Sequence, residues 1–138
     1  MRALDTSVLL ALLEGDPSLR QSLRHWRGEE VATTEANLLE LAVLAANGPP
    51  KTRSHRLAAL GRLRRRLTVL PIDSRAVEEA QRRLDRGAAY RSPLTLAMLA
   101  ALETSGCEEL LTDDPRQFEG KWRFKVSKVG KQIPKHGK

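Results

Sequence analysis

The chain alternates short apolar segments with longer segments in which apolar residues recur every three or four positions. The helical pattern is clearest after Ser92-Pro93, where a capping serine and a first-turn proline mark the start of a helix. The apolar positions of this helix are Leu94, Ala97, Met98, Ala101 and Leu102. Because strands that alternate with helices form parallel sheets covered on both faces, the pattern predicts a three-layer α/β/α fold with a short, mostly parallel sheet.

The predicted elements form a single domain. Strands are expected at residues 2–4, 30–33, 67–70, 110–111 and 123–126, and helices at residues 8–13, 18–27, 34–47, 54–66, 74–86 and 93–105. A length of 138 residues is typical of one domain, to which we assign residues 1–126. Residues 127–138 are expected to form a basic, flexible tail, since they contain Gly130, Pro134 and Gly137.

Several classes of protein are excluded by composition. The single cysteine, Cys107, excludes an internal disulfide framework and any zinc or iron–sulfur site built from several cysteines. The apolar run at residues 8–13 is too short for a signal peptide, acids flank it closely, and no stretch reaches transmembrane length. The three histidines are scattered, without the spacing of metal ligands or of a nucleophile and its base. We therefore expect a cytoplasmic protein that does not bind a membrane.

The net charge of +7 is concentrated in two segments. Residues 51–66 contain seven basic residues and no acidic one, and residues 119–138 contain seven basic residues and one acidic one. Arg62, Arg65 and Arg66 share a helical face, and with Lys121 they are candidate contacts to the phosphates of a nucleic acid. The alternative for the arginine helix is a solvated outer face, with some arginines paired to acids elsewhere in the chain.

Acidic residues directly follow two of the predicted strands. Asp5 comes after the first strand, and Asp113 and Asp114 come after the strand at residues 110–111. Ligands of parallel α/β sheets bind at the carboxyl ends of the strands, so these carboxylates are candidate site residues. Taken alone, Asp5 is also typical of a helix N-cap, and the aspartate pair before Pro115 is typical of a loop turn.

Glu40 is the only ionisable residue between Glu35 and Lys51. Its neighbours one turn away on the predicted helix are Ala36, Val43 and Leu44. A carboxylate on an apolar face is costly unless a charged group compensates it, and both an arginine partner and a metal ion are open interpretations. Because carboxylates repel one another, several of them at one edge of a sheet favour a hard divalent cation.

Four short motifs follow one another in a set order along residues 2–126. They are Leu4-Asp5-Thr6-Ser7, Thr34 to Glu40-Leu41-Ala42, Ser92-Pro93-Leu94-Thr95, and Leu111-Thr112-Asp113-Asp114 with Phe118. In their order and spacing they resemble the PIN domain family, the metal-dependent nuclease fold found in VapC-type toxin ribonucleases. Each motif is short, and the resemblance rests on their combination.

The resemblance implies four acids around Mg²⁺ or Mn²⁺. By position, Asp5 matches the first acid, Glu40 the second and Asp114 the last. Asp113 lies beside the last acid and is a further candidate for metal binding and catalysis. The third acid of the family pattern is replaced by Thr95, whose hydroxyl can bind water but carries no charge. The hydroxyl-bearing residues expected to lie next to the acids and orient them are Thr6, Ser7, Thr95 and Thr112.

The function implied by this resemblance is metal-dependent hydrolysis of RNA phosphodiester bonds that leaves a 5′-phosphate. A protein of this type is further expected to form a homodimer and to act as a toxin that a small antitoxin protein holds inactive. Because Thr95 stands where the family has an acid, the alternative is a catalytically impaired PIN-fold module that binds RNA or protein.

Overall fold

The computed structural model describes residues 1–26, 30–88, 90, 92–118 and 120–129. The strands are β1 (Arg2–Leu4), β2 (Val31–Thr34), β3 (Thr68–Leu70), β4 (Glu109–Thr112) and β5 (Lys125–Lys128). The helices are α1 (Thr6–Leu13), α2 (Pro17–His25), α3 (Glu35–Asn47), α4 (Arg53–Arg65), α5 (Ser74–Asp85) and α6 (Pro93–Thr104), and Pro50–Thr52 and Pro115–Phe118 form short 3₁₀ turns. Every helix of the described chain is too short or too polar to cross a bilayer.

The five strands form one parallel sheet in the order β3-β2-β1-β4-β5. β1 lies at the centre, where Ala3 pairs with Ala32 of β2 and with Leu110 of β4. The strand order changes direction between β1 and β4, and the carboxyl ends of β1, β2 and β4 meet at one edge. This topology confirms the predicted fold and places the residues that follow these three strands side by side.

Successive residues of the central strands face opposite sides of the sheet. Ala3 and Leu110 pack in a cluster with Leu99 of α6, whereas Leu4 and Leu111 pack with residues of α1 and α4. All five of these side chains are 0 % exposed. The sheet is therefore buried on both faces, which gives the three layers of the fold.

The helix α6 is more deeply buried than its predicted apolar stripe indicates. Every residue from 98 to 102 is buried, because one side of α6 packs on the sheet while Ala100 packs against Ala76 of α5. Two predicted stripe positions, Leu94 and Ala97, are only half-buried. A single stripe was the wrong description for a helix that contacts a sheet on one side and a second helix on another.

The last strand lies two residues later than predicted. It covers Lys125–Lys128 rather than residues 123–126. The Arg123 N–H donates to Glu103 Oε1 at 2.9 Å, so it is not available to a neighbouring strand. The first bond to the sheet comes instead from the Lys125 N–H, which donates to the Glu108 carbonyl at 2.9 Å.

The predicted tail is described only in part. Ser127 pairs with Leu111 in the sheet, and Val129 is buried at 8 % exposure, so residues 127–129 pack with the domain. The rest of the tail lies outside the described residues, as does Arg27 at the predicted end of the second helix. For residues 130–138 the tail stays a prediction.

Arg83 of α5 holds the segment that leads into β5. Its guanidinium lies 3.6 Å from the centre of the Trp122 ring and donates to the Lys121 carbonyl at 2.7 Å. The same side chain pairs with Glu103 of α6 at 3.4 Å. Trp122 in turn stacks on Phe124 with ring centres 5.6 Å apart. One arginine thus connects two helices to the segment before the last strand.

Leu99→Ala should destabilise the protein strongly, because Leu99 is 0 % exposed and its removal leaves a cavity between α6 and the sheet. Core truncations of this kind cost about 2–5 kcal/mol. Leu84→Ala in α5 is the matched control, since Leu84 is 48 % exposed, and its cost should stay below about 1 kcal/mol. Equilibrium urea unfolding measures both changes, and equal losses would contradict the placement of Leu99 in the core.

Candidate active site

Asp5 follows β1 and is only 7 % exposed. It occupies the N-cap position of α1, but its side chain makes no capping hydrogen bond. Instead, Asp5 Oδ2 accepts hydrogen bonds from the Thr112 hydroxyl at 2.8 Å and from the Ser7 hydroxyl at 3.2 Å. Asp5 is thus the N-cap residue of α1 by position only. Its carboxylate is held at the carboxyl edge of the sheet by Thr112 and Ser7, so helix capping does not explain the side chain.

Glu40 extends from α3 to the first turn of α1. Its Oε1 accepts a hydrogen bond from the Thr6 hydroxyl at 2.7 Å. The neighbours of Glu40 are apolar, as predicted, but the burial inferred for this face was wrong, because Val43 and Leu44 are 50 % and 48 % exposed and Glu40 itself is half-buried. Within the described residues no ion pair reaches Glu40 or Asp5, so the arginine partner is not found there.

Asp5 and Glu40 line the same open cavity of about 140 Å³. Thr95, in the first turn of α6, lines it as well, so the first three acid positions of the sequence pattern meet at one place. The other residues of the cavity wall are Thr6, Ser7, Met98, Gln117 and Phe118. Met98 and Gln117 were not predicted as site residues, since neither carries a charge or belongs to a recognisable motif.

Asp113 and Asp114 follow β4, as predicted, but neither lines the cavity. Asp113 is exposed, and its backbone N–H donates to the Ser7 hydroxyl at 3.2 Å. The Asp114 carboxylate pairs with Arg116 at 3.3 Å, and this contact holds the pKa of Asp114 below its usual range. The four predicted acids are therefore not gathered together, and among the described residues no group of three or more acids, histidines or cysteines is placed to hold a metal ion.

Among the residues that the structure describes, no positively charged side chain forms an ion pair with Asp5 or Glu40, the two carboxylates of the cavity. Burial raises the pKa of Asp5, and the nearby charge of Glu40 raises it further. The hydroxyls of Thr112 and Ser7 oppose this shift, because their hydrogen bonds stabilise the ionised form. A cation in the cavity would relieve both the burial cost of Asp5 and its repulsion with Glu40.

Asn37 is the site residue that the sequence patterns did not indicate. It is 1 % exposed, and its side-chain amide donates to Thr6 Oγ1 at 3.0 Å and to Asp5 Oδ1 at 3.4 Å. The sequence feature that involves Asn37 is its position three residues after Thr34, the spacing of a capping box, and the two residues form such a box in the structure. That signal predicts a helix start and gives no indication of a contact to Asp5.

The candidate nucleic-acid contacts lie away from the cavity. Arg62, Arg65 and Arg66 are exposed at the C-terminal end of α4, and no ion pair of theirs occurs in the described part of the chain. Because α4 ends where β3 begins, this end lies at the amino edge of the sheet, opposite the edge that carries Asp5. Lys121 is exposed ahead of β5. The arginines are thus available to an anionic partner.

A family model described as the PIN domain matches residues 2–121, and this range carries every element that shapes the cavity. The chain belongs to the PIN domain family. The family resemblance of the sequence motifs is thereby confirmed. No curated protein matches the chain significantly in sequence.

Solved structures with the same fold include VapBC toxin–antitoxin proteins. VapBC2 from Rickettsia felis, bound to a promoter DNA fragment, has a TM-score of 0.78 at 13 % identity, over 93 % of this chain and 98 % of that chain. DNA-bound VapBC from Salmonella typhimurium has a TM-score of 0.77 at 19 % identity, over 92 % and 96 %. VapC20 from Mycobacterium tuberculosis, a toxin that cleaves the sarcin-ricin loop, has a TM-score of 0.59 at 20 % identity, over 88 % and 92 %.

PIN domains generally use divalent metal ions, and the donor atoms of this cavity fit such an ion. The charged donors are the carboxylates of Asp5 and Glu40, and hydroxyls of Thr6, Ser7 and Thr95 complete an oxygen-rich wall. Mg²⁺ binds through oxygen atoms and commonly takes only one or two protein carboxylates. The cavity therefore suits a hard cation, although it has two of the four carboxylates of the family pattern, because Thr95 carries no charge and Asp114 lies outside the cavity wall.

Thr95→Asp should tighten Mn²⁺ binding by this PIN domain, because it adds a third carboxylate to the cavity wall. We expect a gain of about tenfold, or ~1.4 kcal/mol, by isothermal titration calorimetry. Thr95→Asn is the control of equal size without charge, and its affinity should stay within about twofold of the wild type. Equal affinities for the aspartate and asparagine variants would show that Thr95 does not occupy an acid position.

Asp5→Asn should change how the stability of the metal-free protein depends on pH. Burial and Glu40 raise the pKa of Asp5, so ionisation of Asp5 destabilises the folded wild type as pH rises. The amide cannot ionise, and the hydrogen bonds that it fails to accept cost the same at every pH. The melting temperature of the Asn variant should therefore rise relative to that of the wild type from about pH 4 to about pH 8. Thermal unfolding in EDTA measures the difference, and a constant difference over this range would refute a raised pKa of Asp5.

Proposed function

We propose that this PIN domain is a metal-dependent endoribonuclease that hydrolyses RNA phosphodiester bonds, and that it is the toxin of a toxin–antitoxin pair. The observation that carries the proposal is the shared cavity of Asp5 and Glu40 at the carboxyl edge of the sheet. Two carboxylates that are held together without a described cationic partner favour a divalent cation as the missing charge.

Asp5 and Glu40 would hold Mg²⁺ or Mn²⁺ through their carboxylate oxygens. When bound, the ion supplies Lewis-acid chemistry, lowering the pKa of a water molecule and neutralising charge on the phosphate. Thr112 and Ser7 orient Asp5, and the Thr6 hydroxyl orients Glu40. These donors prevent the carboxylates from rotating away from the cavity.

Asp113 and Asp114 are proposed as further catalytic and metal-binding acids. Both follow β4 at the edge that carries Asp5. Asp114 is engaged by Arg116, whose side chain is 87 % exposed. An exposed ion pair of this kind contributes little to stability, so the release of Asp114 from Arg116 would cost little free energy.

RNA is the proposed substrate, cut so that a 5′-phosphate remains. The fold similarity to a toxin that cleaves the sarcin-ricin loop supports this choice. The exposed arginines of α4 and Lys121 would attract the phosphates of a long RNA that extends beyond the cavity. They add affinity without sequence preference, because phosphate contacts carry no base information.

A small antitoxin protein is the proposed partner, and a cytoplasmic homodimer is the proposed functional unit. The antitoxin is supported by the VapBC complexes among the structures with this fold. In such a pair, the antitoxin would hold the nuclease inactive until it is removed.

The alternative function is a catalytically impaired PIN-fold module that binds RNA or protein. Two observations favour it over a generic nuclease. Thr95 brings no charge to the cavity, and Asp114 is turned to Arg116. A module of this kind would retain the basic surface of α4 and lack metal-dependent cleavage.

Cleavage of a fluorescent single-stranded RNA with Mg²⁺ or Mn²⁺ tests the proposed function. We expect metal-dependent cleavage that EDTA abolishes and that Asp5→Asn and Glu40→Gln each reduce by about 100-fold or more. Asp16→Asn is the matched control, because Asp16 caps α2 outside the cavity and asparagine caps helices equally well. Cleavage that persists in Asp5→Asn would point to another site or a contaminant. RNA binding without cleavage by the wild type would support the binding module.

A further inference from the structure

The side chain of Asn37, in the first turn of α3, contacts Asp5 directly and is linked to Glu40 through Thr6. It is 1 % exposed, so its amide must be satisfied within the protein. Its Nδ2 donates to Thr6 Oγ1 at 3.0 Å, to Met98 Sδ at 3.0 Å and to Asp5 Oδ1 at 3.4 Å. Two N–H groups thus serve three acceptors, of which the Met98 sulfur is the weakest.

The orientation of this amide follows from the group on its other side. Asn37 Oδ1 accepts from the Thr34 hydroxyl at 2.7 Å and from the Thr34 N–H at 3.4 Å. A backbone N–H only donates, so the oxygen of the amide must face Thr34. The nitrogen must consequently face Thr6 and Asp5. β2 and the start of α3 thereby direct a hydrogen-bond donor into the site.

Thr6 extends this contact to the second carboxylate. Its hydroxyl accepts from Asn37 Nδ2 and donates its single proton to Glu40 Oε1 at 2.7 Å. Hydrogen bonds in such a chain polarise and strengthen one another. Asn37 therefore acts on Asp5 directly and on Glu40 through Thr6.

We propose that Asn37 is a positioning residue that sets the separation of the Asp5 and Glu40 carboxylates and thereby the cation affinity of the cavity. The inference rests on the proposed function, because it takes these two carboxylates as the metal ligands. Asn37 itself need not touch the metal or the RNA. Its role is to hold two like charges in one geometry without neutralising either.

Mn²⁺ titration calorimetry of Asn37→Leu tests this role. Leucine has a similar size and lacks both the donor and the acceptor, so we expect Mn²⁺ affinity to fall by about 10- to 100-fold. Thr33→Val is the matched control, since Thr33 is 0 % exposed and its hydroxyl ties β2 to the Leu4 carbonyl at 2.9 Å without reaching the cavity carboxylates. The Mn²⁺ affinity of Thr33→Val should stay within about twofold of the wild type, even if its thermal stability falls as much as that of Asn37→Leu.

A double-variant comparison tests the part of the role that passes through Thr6. Thr6→Val alone should weaken Mn²⁺ binding, and the loss in the double variant with Asn37→Leu should be smaller than the sum of the two single losses, because both changes break one chain of hydrogen bonds. Fully additive losses would overturn the relay. Equal losses in Asn37→Leu and Thr33→Val would reduce Asn37 to a structural residue.

A metal-free measurement separates this inference from the proposed function. In ¹⁵N-resolved NMR spectra, the Asn37 side-chain NH₂ pair, assigned by its absence in Asn37→Leu, should exchange slowly with solvent and shift in both Asp5→Ala and Thr6→Val. An unprotected or unshifted NH₂ pair would overturn the positioning role whatever the metal does. A wild type that binds no Mn²⁺ but shows the protected, shifting pair would instead overturn the proposed metal chemistry and the effect of Asn37 on cation affinity, while its positioning of the two carboxylates would stand.

Discussion

Parallel pairing of β1 with β2 on one side and with β4 on the other is the constraint on which the cavity depends. The three strands end at one edge, so Asp5 and Thr112 come within 2.8 Å although 107 positions separate them in the chain. A slip of one residue in either pairing would turn the side chains at this edge to the opposite face of the sheet and dismantle the cavity.

The acids of the cavity and those of the helix layer that contains Arg83 have different hydrogen-bond partners. Glu79 and Glu103 on the helical layer are paired with Arg83, at 2.9 Å and 3.4 Å. Asp5 and Glu40 are held instead by neutral hydroxyl and amide groups. Neutral donors fix the position of a carboxylate and leave its charge in place. The cavity therefore keeps a negative potential, which costs stability and attracts cations.

Much of the fold and part of the site could be predicted from the sequence. The rule for strand ends located Asp5, because it depends on the backbone pattern alone. Thr95, in the first turn of α6, was placed at the site by the family resemblance. Asn37 escaped prediction because Asp5, Thr6 and Met98, to which its amide donates, lie 31 to 61 positions away in the chain. The Asp114 side chain is oriented by its ion pair with Arg116, an exposed contact that the sequence pattern did not indicate. The position of the α4 arginines at the opposite edge follows from the parallel sheet, because a helix that leads into a strand ends at the amino edge.

The helix α6 combines a buried body with a first turn that lines the cavity. Residues 98–102 are held on one side by the sheet and on the other by α5, so nearly any change there is a change in folding. Thr95 lies in the first turn, where it is half-buried and lines the cavity. An exchange between an acid and a hydroxyl at this turn therefore leaves the packing of the helix body unchanged. The charge of the cavity can be altered at residue 95 without altering the contacts that fix the fold.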